Sequence, residues 1–351
     1  MMPPVPRAHA RTEVQTFYHF TTLSKADVLR IDRELIELGK STGVTALIIL
    51  GEEGLNATAA GESIPLHKFV HAAAQLLGPG FEFQNIKVSF IEAGEKLPFL
   101  DFKVKVRKEI VTLQRPDLVP KERQESGPKD TRTLTHLSPE EWHRQIQNPD
   151  AVLIDTRNAY ESVIGTFKNA QTPNIEEFAE FPDWLDEKLA KGEADKAKPT
   201  YIFCTGGIRC EKAILAMEEK GFEHVYQLDG GILNYITKFP ATETAMKPET
   251  PEGSMWNGEC FVFDHRIAVD GDGRASQKFS ACPHCGQAAD HQIFCVRCDG
   301  PAVLCDDCYN AKAVKNACTC SKNCAHHWAV RPGVKGKPQK FDDLKLKSVL
   351  R

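Results

Sequence analysis

A short run centred on Cys204 carries the strongest chemical signal in this sequence. Cys204 ends an apolar segment that reads as a strand, two glycines follow within three residues, and a helix pattern comes next. Glycines let such a loop turn its backbone N–H groups toward one anion, and the helix adds the positive end of its dipole. Arg209 adds a permanent positive charge, so we expect Cys204 to be a nucleophile at neutral pH. The residues expected to form this active loop with Cys204 are Thr205, Gly206, Gly207, Ile208 and Arg209.

The length of the loop distinguishes two chemistries. Cys-dependent phosphatases place five residues between Cys and Arg, usually with His before the Cys, whereas here four residues intervene and Phe203 precedes. The smaller ring of amides suits a single sulfur atom better than a tetrahedral phosphate. The loop therefore resembles the active loop of rhodanese (sulfurtransferase) domains. Three further stretches carry the same resemblance in the same order: Ile154-Asp155-Thr156-Arg157, Tyr160-Glu161 with Gly165, and Gly230-Gly231-Ile232.

Three residues near this loop have two interpretations each. By the resemblance, Asp155 and Arg157 brace the structure near the active loop, but an ordinary structural ion pair explains them equally well. Cys210 stands where a typical rhodanese has Ser. It is either a second thiol, which resolves a disulfide or relays a persulfide, or a first-turn helix residue without chemistry.

The end of the chain has a different use of cysteine, with ten of the 12 Cys after residue 259. Three Cys-x-x-Cys pairs lie in this region, at Cys282/Cys285, Cys295/Cys298 and Cys305/Cys308. The two residues between the thiolates of a pair let both bind one metal ion, and four thiolates complete a tetrahedral zinc site. Few apolar residues lie between the Cys pairs, so we expect metal to supply folding free energy. Disulfides are the alternative, and they are disfavoured because nothing in the sequence indicates export. The predicted ligands are Cys282, Cys285, Cys295, Cys298, Cys305, Cys308, Cys320 and Cys324.

The elements that must position these residues divide the chain into α+β and α/β parts. Residues 13–115 have the order β-α-β-β-α-β of a ferredoxin-like (acylphosphatase-like) domain. Residues 134–240 alternate strands and helices, which predicts a rhodanese α/β domain with a parallel sheet. That places Cys204 at the carboxyl end of a strand, where open α/β sheets bind ligands. The other segments are a linker at 116–133, a Cys-rich region at 252–328 and a basic tail at 329–351.

Length and composition set the outer bounds. The 351 residues suggest two or three domains, and no apolar run reaches the roughly 20 residues that span a bilayer. The N-terminus has no apolar core of a secretory signal, so we expect a cytoplasmic protein without membrane contact. The formal net charge of -4 excludes overall basicity but not a local nucleic-acid surface.

A wider resemblance covers roughly residues 14–310. It is carried by Phe17-Tyr18-His19-Phe20, Glu52-Glu53-Gly54-Leu55-Asn56, residues 103–112, residues 204–213 and residues 256–264. Together they resemble the tRNA uridine-34 hydroxylase family. The resemblance implies an oxygen-dependent enzyme that converts the wobble uridine of a tRNA anticodon loop to 5-hydroxyuridine, with molecular oxygen as co-substrate. The essential Cys of that family maps onto Cys204.

The means of oxygen activation is not visible in the sequence. There is no Gly-rich dinucleotide motif for flavin or nicotinamide, and no two-His-one-carboxylate iron pattern. A persulfide on Cys204 is one hypothesis. Two other functions stay open: a persulfide-forming sulfurtransferase in a thiolation pathway, and a catalytically silent rhodanese-type binding module.

The resemblance also bears on how the Cys pairs combine. The usual pairs of the family look like Cys282/Cys285 and Cys305/Cys308, which favours an interleaved arrangement with Cys295 and Cys298 joining Cys320 and Cys324. A sequential arrangement, in which the first two pairs share one zinc, is the alternative. Cys260 lies outside the cluster and is expected in the core, though it could approach the active loop. Histidines that could replace a thiolate are His284, His291, His326 and His327.

A basic strand is the candidate RNA surface. Lys103, Lys105 and Arg107 alternate along a strand predicted from Phe102 to Leu113, so they share one face while Val104 and Val106 face the core. Contacts to phosphates from these residues, from Lys108 and from the linker residues Lys121 and Arg123 are expected. Stacking platforms for a splayed base are Tyr18 and Phe20. The alternative is a solvated strand face with core aromatics, and the family resemblance favours RNA.

Overall fold

The computed structural model describes residues 12–83, 86–91, 97–120, 135–240, 253–313 and 317–336. Lys121 and Arg123 of the predicted linker, and the tail beyond residue 336, lie outside the described residues. The chain forms two compact units. The first holds the described residues up to Cys260 together with Val269–Arg274, and the second holds Phe261–Ala268 and the described residues from Ala275 onward. Across the described ranges, no helix is long and apolar enough to cross a membrane.

The N-terminal part of the first unit is a five-stranded sheet with two helices packed against it. Its elements are β1 (Thr12–Phe20), α1 (Lys25–Thr42), β2 (Thr45–Gly51), β3 (Gly54–Gly61), α2 (Ser63–Leu77), β4 (Lys87–Ile91) and β5 (Phe102–Val106). The strand order is β4-β1-β3-β2-β5. β1 runs antiparallel to β3 and β4, β2 runs antiparallel to β3, and β5 is parallel to β2. This confirms the predicted ferredoxin-like order, with one edge strand added.

Local sequence explains the first helix well. The Ser24 side chain accepts the N–H of Asp27, and the Asp27 carboxylate accepts the N–H of Ser24, so two N–H groups left open by the helix start are satisfied. Gly43 ends the helix in the left-handed conformation, at φ 69°. Ile31 and Leu35 point from the helix into the core, and both are fully buried.

The prediction for β5 is wrong in two respects. The strand ends at Val106 rather than at Leu113, because its partner β2 turns away at Gly51 after the pair Leu50 and Val106. Arg107 makes one last bond, from its N–H to the carbonyl of Leu50 at 2.9 Å. At the end of this edge strand Val106 does not face the core, since 45% of it is exposed.

The rest of the first unit is built on a four-stranded parallel sheet, which confirms the predicted rhodanese α/β architecture. Its strand order is β6 (His136–Leu137), β10 (Val225–Leu228), β9 (Thr200–Phe203) and β7 (Val152–Asp155). A separate antiparallel pair is formed by β8 (Gly165–Phe167) and β11 (Trp256–Gly258). The elements are β6 (His136–Leu137), α3 (Pro139–Gln145), β7 (Val152–Asp155), α4 (Ala159–Ser162), β8 (Gly165–Phe167), α5 (Phe181–Ala190), β9 (Thr200–Phe203), α6 (Ile208–Glu219), β10 (Val225–Leu228), α7 (Gly231–Lys238) and β11 (Trp256–Gly258).

The second unit has little regular structure, and its buried clusters are rich in sulfur. One cluster joins Cys282 and Cys305 to Ala289 and Leu304, and another consists of Cys295, Cys298 and Cys324. Two hairpin-like strand pairs each carry one Cys pair in the turn: Ser280–Ala281 pairs with Ala288–Ala289 around Cys282 and Cys285, and His291–Phe294 pairs with Pro301–Leu304 around Cys295 and Cys298. The elements from residue 260 on are β12 (Cys260–Phe261), β13 (Ala268–Val269), β14 (Ser280–Ala281), β15 (Ala288–Ala289), β16 (His291–Phe294), β17 (Pro301–Leu304), α8 (Asp306–Ala313) and α9 (Lys322–Val330).

Candidate active site and candidate metal centres

The active loop joins β9 to α6 and turns backbone amides toward sulfur, as the glycine spacing predicts. Cys204 is the first residue after β9 and is fully buried. The N–H of Gly207 donates to Cys204 Sγ at 3.1 Å, and the N–H of Arg209 donates to the same sulfur. Gly207 has φ +97°, a conformation that side chains rarely adopt. The glycine is therefore required by the shape of the cradle.

The amino end of α7 holds the other side of the loop. The N–H of Ile232 donates to the carbonyl of Cys204 at 3.0 Å, and the N–H of Leu233 donates to that of Thr205 at 3.1 Å. A Cβ at Gly231 would lie 2.6 Å from the carbonyl oxygen of Cys204. Only glycine allows this approach, which gives a physical reason for the second glycine pair noted in the sequence.

Two sulfur atoms share the site. Burial raises the pKa of the Cys204 thiol, but the hydrogen bond donated by Cys210, the charge of Arg209 and the loop N–H groups outweigh it and lower the pKa to about 6. Burial and the adjacent Cys204 thiolate raise the pKa of Cys210 well above its ordinary value. At pH 7 the site therefore holds a thiolate at Cys204 and a protonated thiol at Cys210. The hydroxyl of Thr156 lies 3.8 Å from Cys210 Sγ.

Arg209 is fixed by a carboxylate that the sequence analysis assigned no role. Its Nη1 and Nη2 donate to Glu161 Oε1 and Oε2 at 2.6 and 2.8 Å, and Glu161 is fully buried. The Thr205 hydroxyl also donates to Glu161, at 3.3 Å. A buried arginine needs such a partner, so the need was foreseeable although the identity of the carboxylate was not.

Asp155 and Arg157 form a buried ion pair that braces neighbouring strands. Arg157 Nε and Nη2 donate to the two Asp155 oxygens at 2.8 and 2.6 Å, and Nη2 also donates to the carbonyl of Gly165 at 2.6 Å. Thr156, between them, is the residue that reaches the active loop. Its N–H and hydroxyl both donate to the carbonyl of Phe203, at 3.0 and 2.9 Å. Asp155 and Arg157 thus form a buried ion pair, and a direct functional role for them stays a prediction.

The residues directly after Cys210 bind the N-terminal sheet. Lys212 is fully buried, and its Nζ lies 2.8 Å from Glu53 Oε2 and 2.7 Å from Glu109 Oε2. One oxygen of Glu211 accepts the Tyr18 hydroxyl at 2.9 Å. The same oxygen lies 3.0 Å from His136 Nε2 and 3.2 Å from Gln227 Nε2. No such role was expected for these residues from the sequence, although the strings that carry the family resemblance contain five of them: Tyr18, Glu53, Glu109, Glu211 and Lys212.

Of the two predicted stacking residues, Tyr18 lies at the active loop and Phe20 does not offer a surface. The Tyr18 hydroxyl is 3.1 Å from the position of a Cβ at Gly207, and Lys87 Nζ lies 4.6 Å from the centre of the Tyr18 ring. Phe20 is buried in the sheet. Of the two predicted stacking residues, Tyr18 is therefore the one whose side chain reaches the active loop.

The basic strand residues lie together but on another strand than Tyr18. Lys103 and Arg107 are exposed and Lys105 is half-buried. Burial and the charges of Arg107 and Lys103 lower the pKa of Lys105, which agrees with a shared face. Because β3 and β2 separate β1 from β5, this patch is displaced from Tyr18 by on the order of 14 Å across the sheet.

The predicted metal ligands fall into two groups of four, in the interleaved arrangement. Within each group all sulfur atoms lie within 4.8 Å of one another. Cys285 Sγ lies 3.4 Å from Cys305 Sγ, and Cys298 Sγ lies 3.9 Å from Cys324 Sγ. A tetrahedron with Zn–S bonds of about 2.3 Å has edges of about 3.8 Å, so the donor sets fit zinc. The groups are Cys282, Cys285, Cys305, Cys308 and Cys295, Cys298, Cys320, Cys324.

Two cysteines lie outside both metal groups and the active loop. Cys260 is fully buried in the first unit, and burial raises its pKa to about 12 despite the charge of Arg157. It is a protonated core thiol, with Cys204 and Arg157 among the charges it senses. Cys318 is partly exposed in the second unit. No cysteine among the 12, all within the described ranges, forms a disulfide.

Most of the chain is similar to known protein families and to named relatives. Residues 12–110 match the family model described as UPF0176 acylphosphatase like domain, residues 138–238 match Rhodanese-like domain, and residues 257–325 match Rhodanase C-terminal. A protein of Bdellovibrio bacteriovorus is 42% identical over 95% of this chain and 87% of its own length. One of Synechocystis sp. is 41% identical (78% and 88%), and one of Legionella pneumophila is 42% identical (73% and 90%). Each of the three is named tRNA uridine(34) hydroxylase, and with identity at this level over nearly its whole length the chain belongs to the tRNA uridine(34) hydroxylase family.

Proposed function

We propose that this protein is a tRNA-modifying oxidoreductase that hydroxylates uridine 34, the wobble base of the anticodon loop, to 5-hydroxyuridine, with molecular oxygen as co-substrate. One observation carries the proposal: the chain matches uridine(34) hydroxylases over nearly its full length and retains a thiolate cradle at Cys204. As an enzyme acting on tRNA, it works in the cytoplasm, where its substrate is.

Cys204 is the proposed catalytic residue. The uracil ring has a C5=C6 double bond polarised by its C4 carbonyl, so C6 accepts a thiolate and C5 then gains electron density. Oxygen is attached at C5 in the product. A sulfur atom that is ionised at neutral pH and surrounded by N–H donors suits such an addition, because no separate base has to remove its proton.

Tyr18 is the proposed contact for the flipped base. Its ring belongs to β1, and its hydroxyl is held by Glu211 at 2.9 Å, beside Gly207 of the cradle. Aromatic rings stack on splayed bases, and anticodon-loop bases are unpaired. The buried salt bridge of Lys212 with Glu53 and Glu109 keeps the N-terminal sheet, and with it Tyr18, in register with the loop.

Lys103, Lys105 and Arg107 are proposed to contact phosphates of the anticodon stem-loop. When one phosphate contact is lost, the salt dependence of tRNA binding becomes smaller. In the variant Lys103→Ala/Arg107→Ala, we expect the salt slope of tRNA binding to fall by roughly two. Lys40→Ala, an exposed lysine on α1 paired with Glu37, is the matched control and should keep the slope of the wild type. An unchanged slope in the double variant would show that Lys103 and Arg107 do not contact the tRNA.

The two Cys groups of the second unit are proposed to hold structural zinc. Four thiolates fill the tetrahedral positions, so no position is left open for water or substrate. The metal would supply folding free energy and no step of the reaction.

The function is tested by incubating the purified protein with an unmodified tRNA transcript and analysing nucleosides by mass spectrometry. We expect 5-hydroxyuridine at position 34 in air, none under nitrogen, and none with Cys204→Ser. The loop length favours a second function, persulfide formation by sulfur transfer. A thiosulfate-to-cyanide assay on the wild type and Cys204→Ser measures it. Sulfur transfer without 5-hydroxyuridine would make this second function the correct one, and inactivity in both assays would favour a binding module.

A further inference from the structure

A second thiol follows the active loop, and the proposed addition of Cys204 to the uracil ring does not use it. Cys210 lies six residues after Cys204, on the first turn of α6, and both residues belong to one buried cluster. Cys210 Sγ lies 3.8 Å from the hydroxyl of Thr156, and that hydroxyl donates to the carbonyl of Phe203, the residue before Cys204. The side chains of Cys204 and Cys210 are both fully buried. The remaining cysteines are eight in the two metal groups, Cys260 in the core and Cys318 in the second unit. The described residues therefore contain one close pair of thiols beside the proposed reaction centre.

The reaction proposed for this site consumes electrons that uridine does not supply. Inserting one oxygen atom of O2 into the C5–H bond and releasing the other as water takes two electrons and two protons. Two thiols that close to a disulfide release two electrons. The Cys204–Cys210 pair thus holds the required two electrons and includes the proposed reacting sulfur.

We propose that Cys204 and Cys210 together supply the two reducing electrons of each hydroxylation and end the turnover as a disulfide. This inference rests on the proposed function. In the balanced step, uridine, O2 and two thiols give 5-hydroxyuridine, water and one disulfide. The O–O and C5–H bonds break, while C5–OH and S–S bonds form. Oxygen is reduced and the two sulfur atoms are oxidised.

The protons and the return to the starting state also balance. The resting site holds one thiol proton, on Cys210, because Cys204 is a thiolate, so solvent supplies the second proton of the water molecule. An external dithiol then reduces the disulfide before the next turnover. The fold suits the pair, because both side chains lie in one buried cluster and both residues bond to Gly207: its N–H donates to Cys204 Sγ at 3.1 Å, and its carbonyl accepts the N–H of Cys210 at 3.1 Å. Gly206 and Gly207 let the loop adjust as the two sulfur atoms approach to the roughly 2.05 Å of an S–S bond.

The sequence offers a direct assay for this disulfide. Trypsin cuts after Arg209, between the two cysteines, and after Lys196 and Lys212. The disulfide would join peptide 197–209 to peptide 210–212, and reduction would separate them. Enzyme freed of reductant is mixed with tRNA transcript in air, alkylated, denatured and digested. We expect linked peptides in an amount equal to 5-hydroxyuridine, with the reaction stopping after about one product per enzyme and resuming when dithiothreitol is added.

A variant and its control complete the test. Cys210→Ser places the residue that a typical rhodanese has there, and we expect its yield without external thiol to fall roughly tenfold or more. Cys318→Ser removes a thiol outside the site and should keep the wild-type yield. Product formed by Cys210→Ser at the wild-type rate, product without linked peptides, or peptide 197–209 carrying one extra sulfur atom as the only change would overturn the proposal. No product from the wild type would instead refute the proposed hydroxylation, and the electron supply with it.

Discussion

The active loop and the Cys-rich second unit use the same side chain in opposite ways. At Cys204 the surrounding fold holds the sulfur: Ile202 and Phe203 of β9 are fully buried, and the loop N–H groups bond to the thiolate. In the second unit the sulfur atoms are themselves much of the buried core. The active loop therefore stabilises a single thiolate without a metal. Each Cys group of the second unit instead brings four sulfur atoms together, and four thiolates this close need a cation between them.

The difference lies in what balances the negative charge. Cys204 faces Arg209, several N–H groups and the protonated thiol of Cys210. In the two candidate metal groups, sulfur neighbours lie as close as 3.4 Å (Cys285 and Cys305) and 3.5 Å (Cys298 and Cys320), where ionised thiols repel one another unless a cation sits between them. A reactive thiolate and a structural one are thus distinguished by their neighbours rather than by the Cys-x-x-Cys or Cys-Thr-Gly-Gly pattern alone.

Metal removal should give the largest contrast between the two regions. Structural zinc contributes about 10–16 kcal/mol to the folding of small zinc domains, so chelation should unfold the second unit. Cys295→Ser should release one of two zinc ions. Elemental analysis and limited proteolysis measure both effects. Chelation that left residues 275–336 resistant to protease would show that metal does not hold this unit.

Cys204→Ser should have the opposite signature. Loss of the nucleophile should lower hydroxylation on the order of 10⁴-fold, because the serine hydroxyl is not ionised at neutral pH. Zinc content and protease resistance of the second unit should match those of the wild type. Nucleoside mass spectrometry and elemental analysis are the measurements. A Cys204→Ser protein that also lost zinc would mean that the two regions are not independent.

Lys212→Met tests whether the fold of the first unit holds the active loop against the N-terminal sheet. The change leaves Glu53 and Glu109 buried without their cation, at an expected cost of about 3–5 kcal/mol in the free energy of unfolding. Urea unfolding of the first unit measures it. Lys220→Met is the control, because its partner Asp186 is largely exposed and the pair should be worth about 1 kcal/mol or less. Equal effects of the two variants would contradict a special role for Lys212.

These contacts mark the limit of what the sequence could predict. The cradle was predictable because its strand, glycines and helix are contiguous. The short Cys spacings predicted metal ligands, but only the family resemblance favoured the interleaved grouping that the structure has. Arg209 and Glu161 are 48 residues apart, Lys212 and Glu109 are 103 apart, and Tyr18 and Glu211 are 193 apart. Pairing over such separations depends on how sheets pack. The wrong orientation of Val106 has the same origin, since alternation along a strand says nothing about where its partner strand ends.

The ionisation of Cys204 gives a smaller effect that distinguishes its thiolate from the thiols proposed to bind metal. Its pKa is lowered to about 6, so the thiolate predominates above pH 6 and is lost as pH falls through 6. Alkylation read on peptide 197–209 should drop about tenfold from a plateau near pH 7 to pH 5. Cys210→Ala removes a hydrogen-bond donor and should move the midpoint upward. A midpoint near pH 8 to 9 in the wild type would mean that the cradle does not stabilise the thiolate.

Cys318→Ser is expected to have the smallest effect, and it sharpens the comparison within the second unit. Cys318 lies two residues from Cys320 but belongs to neither sulfur group. If tetrahedral geometry rather than local Cys density selects the ligands, the variant should keep both zinc ions and change the stability of the unit by no more than about 0.5 kcal/mol. Zinc content measured beside Cys320→Ser decides the matter, since the latter should lose one ion. Loss of zinc from Cys318→Ser would place this thiol among the ligands and require a different grouping of the nine cysteines in the second unit.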